Sequence, residues 1–163
     1  AGDGSREIAG IRPGTRVFVE GPFGRLTDRA RTRRRVAYFG AGVGLTPLRA
    51  LAEGAPYGWG EAVLFHRFTD HPLFRHELDA LSHERGLHVV ELPGRRRSEA
   101  SWLGTGTDVG DADDVTVLRA WLPDLPERDV YVCGPPPWAD SLSTSLLAAG
   151  LPVAQLHVET FAW

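Results

Sequence analysis

From residue 36 onward the chain alternates short, continuously apolar runs with longer segments whose apolar positions recur at helical spacing. Val36-Ala37-Tyr38-Phe39, Glu61 to His66 (E-A-V-L-F-H), Leu87 to Leu92 (L-H-V-V-E-L), Asp129 to Cys133 (D-V-Y-V-C) and Leu156 to Thr160 have the length and the β-branched and aromatic content of strands. A helix follows the glycines after Phe39. A second, Pro72 to Arg85, sets Leu73, Phe74, Leu78 and Leu81 on one face and stops at Gly86. Asp111, Asp113 and Asp114 supply negative charge at the start of a third, which runs to about Leu122. A fourth covers Trp138 to Ala149, with Gly150 at its end and Pro152 beyond. Strands alternating with helices predict an α/β, Rossmann-like three-layer fold around a five-stranded parallel sheet.

The first 27 residues read differently. Arg16-Val17-Phe18-Val19-Glu20 alternates as a strand, Pro13-Gly14 and Gly21-Pro22 signal turns, and no helical pattern is present. This is the pattern of a short β segment ending another domain. Arg25 to Arg35 carries six arginines, as a solvated linker or as a docking surface for an acidic partner or anionic leaflet. The expected division is 1–30 for the tail and linker and 31–163 for the α/β domain. The start at Ala1-Gly2-Asp3-Gly4, without methionine, reads as a piece of a longer chain.

Gly40-Ala41-Gly42-Val43-Gly44-Leu45-Thr46-Pro47 joins the first strand to its helix and reads as a phosphate cradle. Glycines permit positive φ and let backbone N–H groups approach a ligand. Thr46 can cap the helix and Pro47 suits its first position, and a helix N-terminus attracts anions. The spacing departs from G-x-G-x-x-G, since Leu45 stands where the last glycine belongs, and no lysine makes it a G-x-x-x-x-G-K-[ST] loop. A tight turn serving helix-on-sheet packing is the plainer alternative.

In open parallel sheets, ligands bind at the carboxyl ends of the strands. That selects Gly40 to Thr46, His66 to Asp70, Pro93 to Arg97 and Cys133 to Pro136. An acid at the end of the second strand would hold a ribose 2′-hydroxyl. His66-Arg67 stands there instead, which favours a 2′-phosphate, and Arg95, Arg96 and Arg97 follow the third strand as possible partners. Cys133, the single cysteine, sits beside Gly134-Pro135; it reads either as a small buried hydrophobe or, at a strand's carboxyl end, as a polarizable group against a flat cofactor, and it is not assigned as a nucleophile. Pro93 to Gly110 is a long irregular loop of the kind that often carries function.

Composition narrows the classes. A chain of 163 residues buries one ordinary core, a net charge of −3 gives no global bias toward nucleic acid or membrane, and no nucleic-acid partner is expected. All 18 basic residues are arginine. One cysteine excludes an internal disulfide or a cysteine-ligated cluster. The histidines lack zinc spacing and read as surface, no metal site is expected, and no G-x-S-x-G elbow is present. No run is apolar enough to span a bilayer.

With these residues in view, the chain resembles the pyridine-nucleotide-binding half of the ferredoxin-NADP reductase superfamily. The likeness rests on Gly21-Pro22-Phe23-Gly24, Gly40 to Pro47, Phe74-Arg75-His76-Glu77-Leu78, Cys133-Gly134-Pro135 and Glu159-Thr160-Phe161, in the family's order. Within the superfamily it looks most like bacterial ferric-reductase-like and NADPH-oxidase-like flavocytochromes. The resemblance implies NADPH (or NADH) as cofactor and FAD held mainly by a domain outside this chain, with the 1–30 segment as the end of the flavin-binding barrel. It implies that Thr46 and Cys133 line the nicotinamide pocket, that Glu159 lies near the hydride path, and that Phe161 or Trp163 covers the flavin. It further implies a haem-containing transmembrane domain as partner and a cytoplasmic location, at the membrane face in the full-length protein. The alternatives are a reductase feeding an iron–sulfur protein or oxygenase, an S-adenosylmethionine-dependent methyltransferase, and a nucleotide-sensing module.

Overall fold

A computed structural model describes residues 3–20 and 26–161, with 3–5 as backbone only. Five parallel strands, β1 (Arg35–Ala41), β2 (Ala62–Phe68), β3 (His88–Pro93), β4 (Arg128–Gly134) and β5 (Leu156–Thr160), form one sheet in the order β3-β2-β1-β4-β5. The order reverses between β1 and β4, so their carboxyl ends border the crevice in which such sheets bind ligands.

Both faces are covered, which is why the strands read as continuous apolar runs. Phe39, Phe65 and Val132 meet α4 (Asp114–Trp121) and α5 (Pro136–Ala149) through Leu118, Trp138 and Leu142. Tyr38, Leu64 and Tyr131 meet α2 (Leu45–Gly54) and α3 (Arg75–Arg85) through Leu48, Leu78 and Leu81. Alternate residues of each strand serve opposite layers.

The helix ends show where local chemistry overrides pattern. α4 is capped as expected: Asp113 accepts from the Val115 and Thr116 amides. α3 begins at Arg75 and not at Pro72, because Phe74 adopts a left-handed conformation with φ 54° and breaks the run. α2 begins at Leu45 after a 3-10 turn over Gly42–Gly44, so Thr46 is its second residue and not its cap. α5 begins at Pro136, two residues before the expected start, since proline suits the first helical position.

Ahead of the sheet, α1 spans Asp3–Ala9, where the sequence shows no helical pattern. Arg16 to Glu20 forms no strand, and Phe18 and Val19 are 95% and 90% exposed. A strand requires a neighbour for its hydrogen bonds, and no described segment supplies one. The Gly21 to Arg25 stretch and Trp163 lie outside the described residues.

The arginine-rich linker is stitched to the domain. The buried Asp129 carboxylate accepts from the Thr32 and Arg33 amides and pairs with His157 at 3.0 Å. Arg31 donates to the Arg33, Arg34 and Pro56 carbonyls, Arg34 pairs with Glu61, and Arg35 pairs with Asp124. These three guanidinium groups are engaged inside the chain, while Arg29 is exposed.

Candidate nucleotide site

A cleft of about 240 Å³ opens at the carboxyl ends of β1, β2 and β4. It is lined by the Ala41 to Gly44 turn, by Gly134-Pro135, by Arg67, Phe68 and Thr69, and by Phe161. Phe68 and Thr69 fall in the span selected from sequence but have no role assigned there.

The glycines of the turn divide their duties. A Cβ at Gly44 would collide with the Cys133 carbonyl, and one at Gly40 would crowd Leu45, so these two serve close packing. Gly42 has φ 54° and nothing within 4 Å of its Cβ position. It shapes the turn while leaving the mouth open to a ligand. The Leu45 amide is bonded to the Gly42 and Val43 carbonyls and Pro47 has no N–H, so backbone donors at this mouth come from the Ala41 to Gly44 turn that lines it. Val43 is exposed on the turn, while Leu45 is buried beneath it.

The other wall has the opposite chemistry. Pro135, Pro136 and Pro137 bring no N–H to the start of α5, so this helix end offers an anion almost nothing. Gly134 is bare because Trp138 fills the space behind it: a Cβ there would sit 2.7 Å from the indole. The result is a flat apolar surface suited to a ring. Glycine turn and donor-poor proline wall thus line the same cleft, one suited to phosphates and the other to a flat ring.

Beyond Arg67 a second cleft, about 580 Å³, is lined by Arg67, Thr69, Arg95, Arg96, Ser98 and Glu99. Burial and the nearby Arg96 lower the pKa of Arg67, which stays charged. Its Nε is buried without a partner, while a terminal nitrogen reaches the Gly94 carbonyl at 3.3 Å. That orphaned donor fits an anionic ligand. Arg95 is exposed, and among the described residues its guanidinium has no recorded partner. Arg97 instead braces the loop on the Gly110 and Ala112 carbonyls, away from the rim.

Several expected residues sit elsewhere. His66 is fully buried on the α2/α3 face, opposite Arg67, with both ring nitrogens unpartnered, and desolvation pushes its pKa down to about 4. It is therefore neither a surface histidine nor part of the rim, and His157 is buried as well. Cys133 is also fully buried, packed in the layer of Tyr131 and Leu45, and burial, aided by Glu159, pushes its thiol up to about 12. It underlies the Gly44 turn and does not line the cleft. Thr46 is exposed and Pro47 borders a separate groove with Leu26 and Leu51. Glu159 pairs in register with Cys133, and its carboxylate accepts from the Leu26 amide at 3.4 Å. Phe161 is held by its amide on the Gly134 carbonyl at 3.4 Å. Among the described residues no cluster of His, Cys, Asp or Glu is arranged for a metal, and no helix is long and apolar enough to cross a membrane.

No family profile matches the chain. It is 28% identical over 92% of its length to ferredoxin–NAD(P)(+) reductase CarAd of Metapseudomonas resinovorans, of which it covers 44%. It is 31% identical over 99% of its length to NADH-cytochrome b5 reductase 1 of Pyricularia oryzae, of which it covers 55%. Among solved structures, the ferredoxin reductase in carbazole 1,9a-dioxygenase superposes with a TM-score of 0.53 at 25% identity, over 79% of this chain and 38% of that one. These relatives and structural neighbours are reductases of the ferredoxin-NADP reductase type, and the chain is similar to their NAD(P)-binding part. It spans about half the length of the curated relatives it matches. The fold alone is shared with Amycolatopsis cytochrome P450 reductase GcoB, at a TM-score of 0.62 and 17% identity over 86% of this chain and 42% of that one. The relatives are reductases, which tells against the methyltransferase alternative.

Proposed function

We propose that this chain is the nucleotide-binding half of a flavin-dependent oxidoreductase, taking NADPH in preference to NADH and presenting it to FAD held mainly by a preceding domain of the same polypeptide. The observation that carries this reading is one cleft lined by the glycine turn ahead of α2, by the Gly134-Pro135 entry to α5 and by Arg67. The Gly40 to Leu45 backbone holds the pyrophosphate, the Gly134-Pro135 wall receives the nicotinamide, and Arg67 with Arg95 and Arg96 takes the 2′-phosphate. Bound nicotinamide and flavin supply the hydride chemistry, for which the protein contributes orientation and exclusion of water. Phe161 guards the ring position, and Glu159 anchors the strand end that carries it. Cys133 supports the turn from beneath, and residues 1–30 form the tail of the flavin-binding barrel and the linker.

The electrons pass on to a one-electron acceptor. A haem-containing transmembrane domain, with ferric iron or oxygen beyond it, places the domain at the cytoplasmic membrane face. A second reading, a reductase feeding an iron–sulfur protein or oxygenase, is favoured by the likeness to ferredoxin reductases. Calorimetry with NADP and NAD at low salt tests the nucleotide site: a preference for NADP of about tenfold is expected from one or more charge-assisted contacts. Equal affinity or a preference for NAD would sink the cofactor choice, and binding of neither would sink the site. Rapid-mixing flavin reduction by NADPH in the full-length polypeptide separates a reductase from a nucleotide sensor.

A further inference from the structure

The long loop after β3 is built as part of the core and is fastened to α5. Trp102 and Leu103 are fully buried against Phe39 and Leu118, and the Asp114 carboxylate accepts from the Trp102 amide and the Ser101 hydroxyl. Two residues of α5 hold the loop from the other side. Trp138 donates its indole N–H to the Trp102 carbonyl at 2.9 Å, and Ser141 accepts from the Arg96 guanidinium at 2.7 Å. Ser141 Oγ also lies 2.9 Å from the Pro137 carbonyl and 3.2 Å from that of Glu99, so its proton is shared there while a lone pair faces Arg96. Arg96 adds bonds to the Ser101 and Glu99 carbonyls. Its other terminal nitrogen has no recorded partner among the described residues, and Arg96 lines the arginine-rich cleft.

We propose that Ser141, outside both clefts, is a positioning residue for nucleotide specificity: it fixes the Arg96 guanidinium, and with it the Arg95 to Glu99 rim, where a 2′-phosphate is received. This rests on the nucleotide-site reading above. A guanidinium with Nε and one terminal nitrogen tied down presents its remaining edge in one orientation, so little rotamer freedom is lost when an anion docks. Trp138 backs Gly134 on the same helix. α5 thus joins the wall for the ring to the rim for the phosphate.

The test uses adenosine 2′,5′-bisphosphate and 5′-AMP, which do not reach the Phe161 end of the cleft, titrated calorimetrically into the chain and its variants. Ser141→Ala is expected to lower the bisphosphate affinity about fivefold, as for one ordinary hydrogen bond felt through Arg96, and to leave 5′-AMP unchanged. Ser141→Thr, which keeps the hydroxyl, should retain the preference. On an Arg96→Ala background Ser141→Ala should add nothing further, because its effect travels through Arg96. Equal weakening of both ligands, no weakening of either, or full additivity with Arg96→Ala would overturn the proposal. Wild-type protein that binds both ligands equally would also overturn it while leaving the nucleotide site standing, whereas binding of neither would remove the site itself.

Discussion

A side chain on Gly44 would collide with the carbonyl group of Cys133, so the turn that leaves β1 rests directly on the backbone at the end of β4. This contact closes the switch point of the sheet and sets one wall of the cleft against the other. Gly44→Ala must push the turn away from β4 and should destabilise the fold by about 3 kcal/mol. Gly42→Ala meets open space and pays only for its positive φ, about 1 to 2 kcal/mol. Urea denaturation ranks the two. The reverse order, or equal losses, would show that the turn is not seated on Cys133.

Burial makes His66 a pH-sensitive element of stability. Its folded pKa of about 4 lies below the ordinary 6.5, so the unfolded chain binds more protons between those values. Stability is therefore full above about pH 6.5 and falls as the pH drops toward 4, by roughly 3 kcal/mol if the whole difference is expressed. His66→Leu should flatten that acid limb in denaturation curves taken from pH 7 to pH 4. An unchanged limb would assign the loss to the carboxylates.

Cys133 titrates in the opposite sense at the alkaline end. Its thiol is raised from 9 to about 12, so the unfolded chain loses its proton first and stability falls as pH rises through this window. Tyr38 and Tyr131 are raised by burial as well and share the alkaline loss. The Cys133 share is the difference between wild type and Cys133→Ala. In the folded protein iodoacetamide at pH 8 should label Cys133 only as fast as the chain opens. Rapid labelling under native conditions would place the thiol in the cleft after all.

Most of the fold is legible because a parallel sheet covered on both faces leaves continuous apolar runs, and Leu156–Thr160 forms β5 with the bounds its pattern predicts. The cleft walls are legible for a related reason: glycines, prolines and an arginine stand where strands end. What stays hidden is parity and partnership. With Arg67 on the rim, strand alternation sends His66 to the other face, and Gly134 on the wall leaves Cys133 beneath it. The failure at Arg16 to Glu20 is one of partnership, since alternation marks a strand only where a neighbour exists. Ser141 gives no local signal, because its role depends on a loop some forty residues away.

The same logic changes the expectation for the chain's end. Phe161 is 38% exposed, bonded through its amide to Gly134 and part of the cleft lining, and on the proposed reading its ring stands where the nicotinamide would lie. A nicotinamide entering that position must displace it and re-expose part of its apolar surface, at a cost of about 1 kcal/mol. Phe161→Ala should therefore tighten NADP binding about fivefold. It should leave adenosine 2′,5′-bisphosphate unaffected, since that ligand has no nicotinamide. Calorimetry on the two ligands separates competition for the ring site from a general change in the cleft. Equal effects on both ligands, or a weaker NADP complex, would mean that Phe161 supports the cleft and does not guard it.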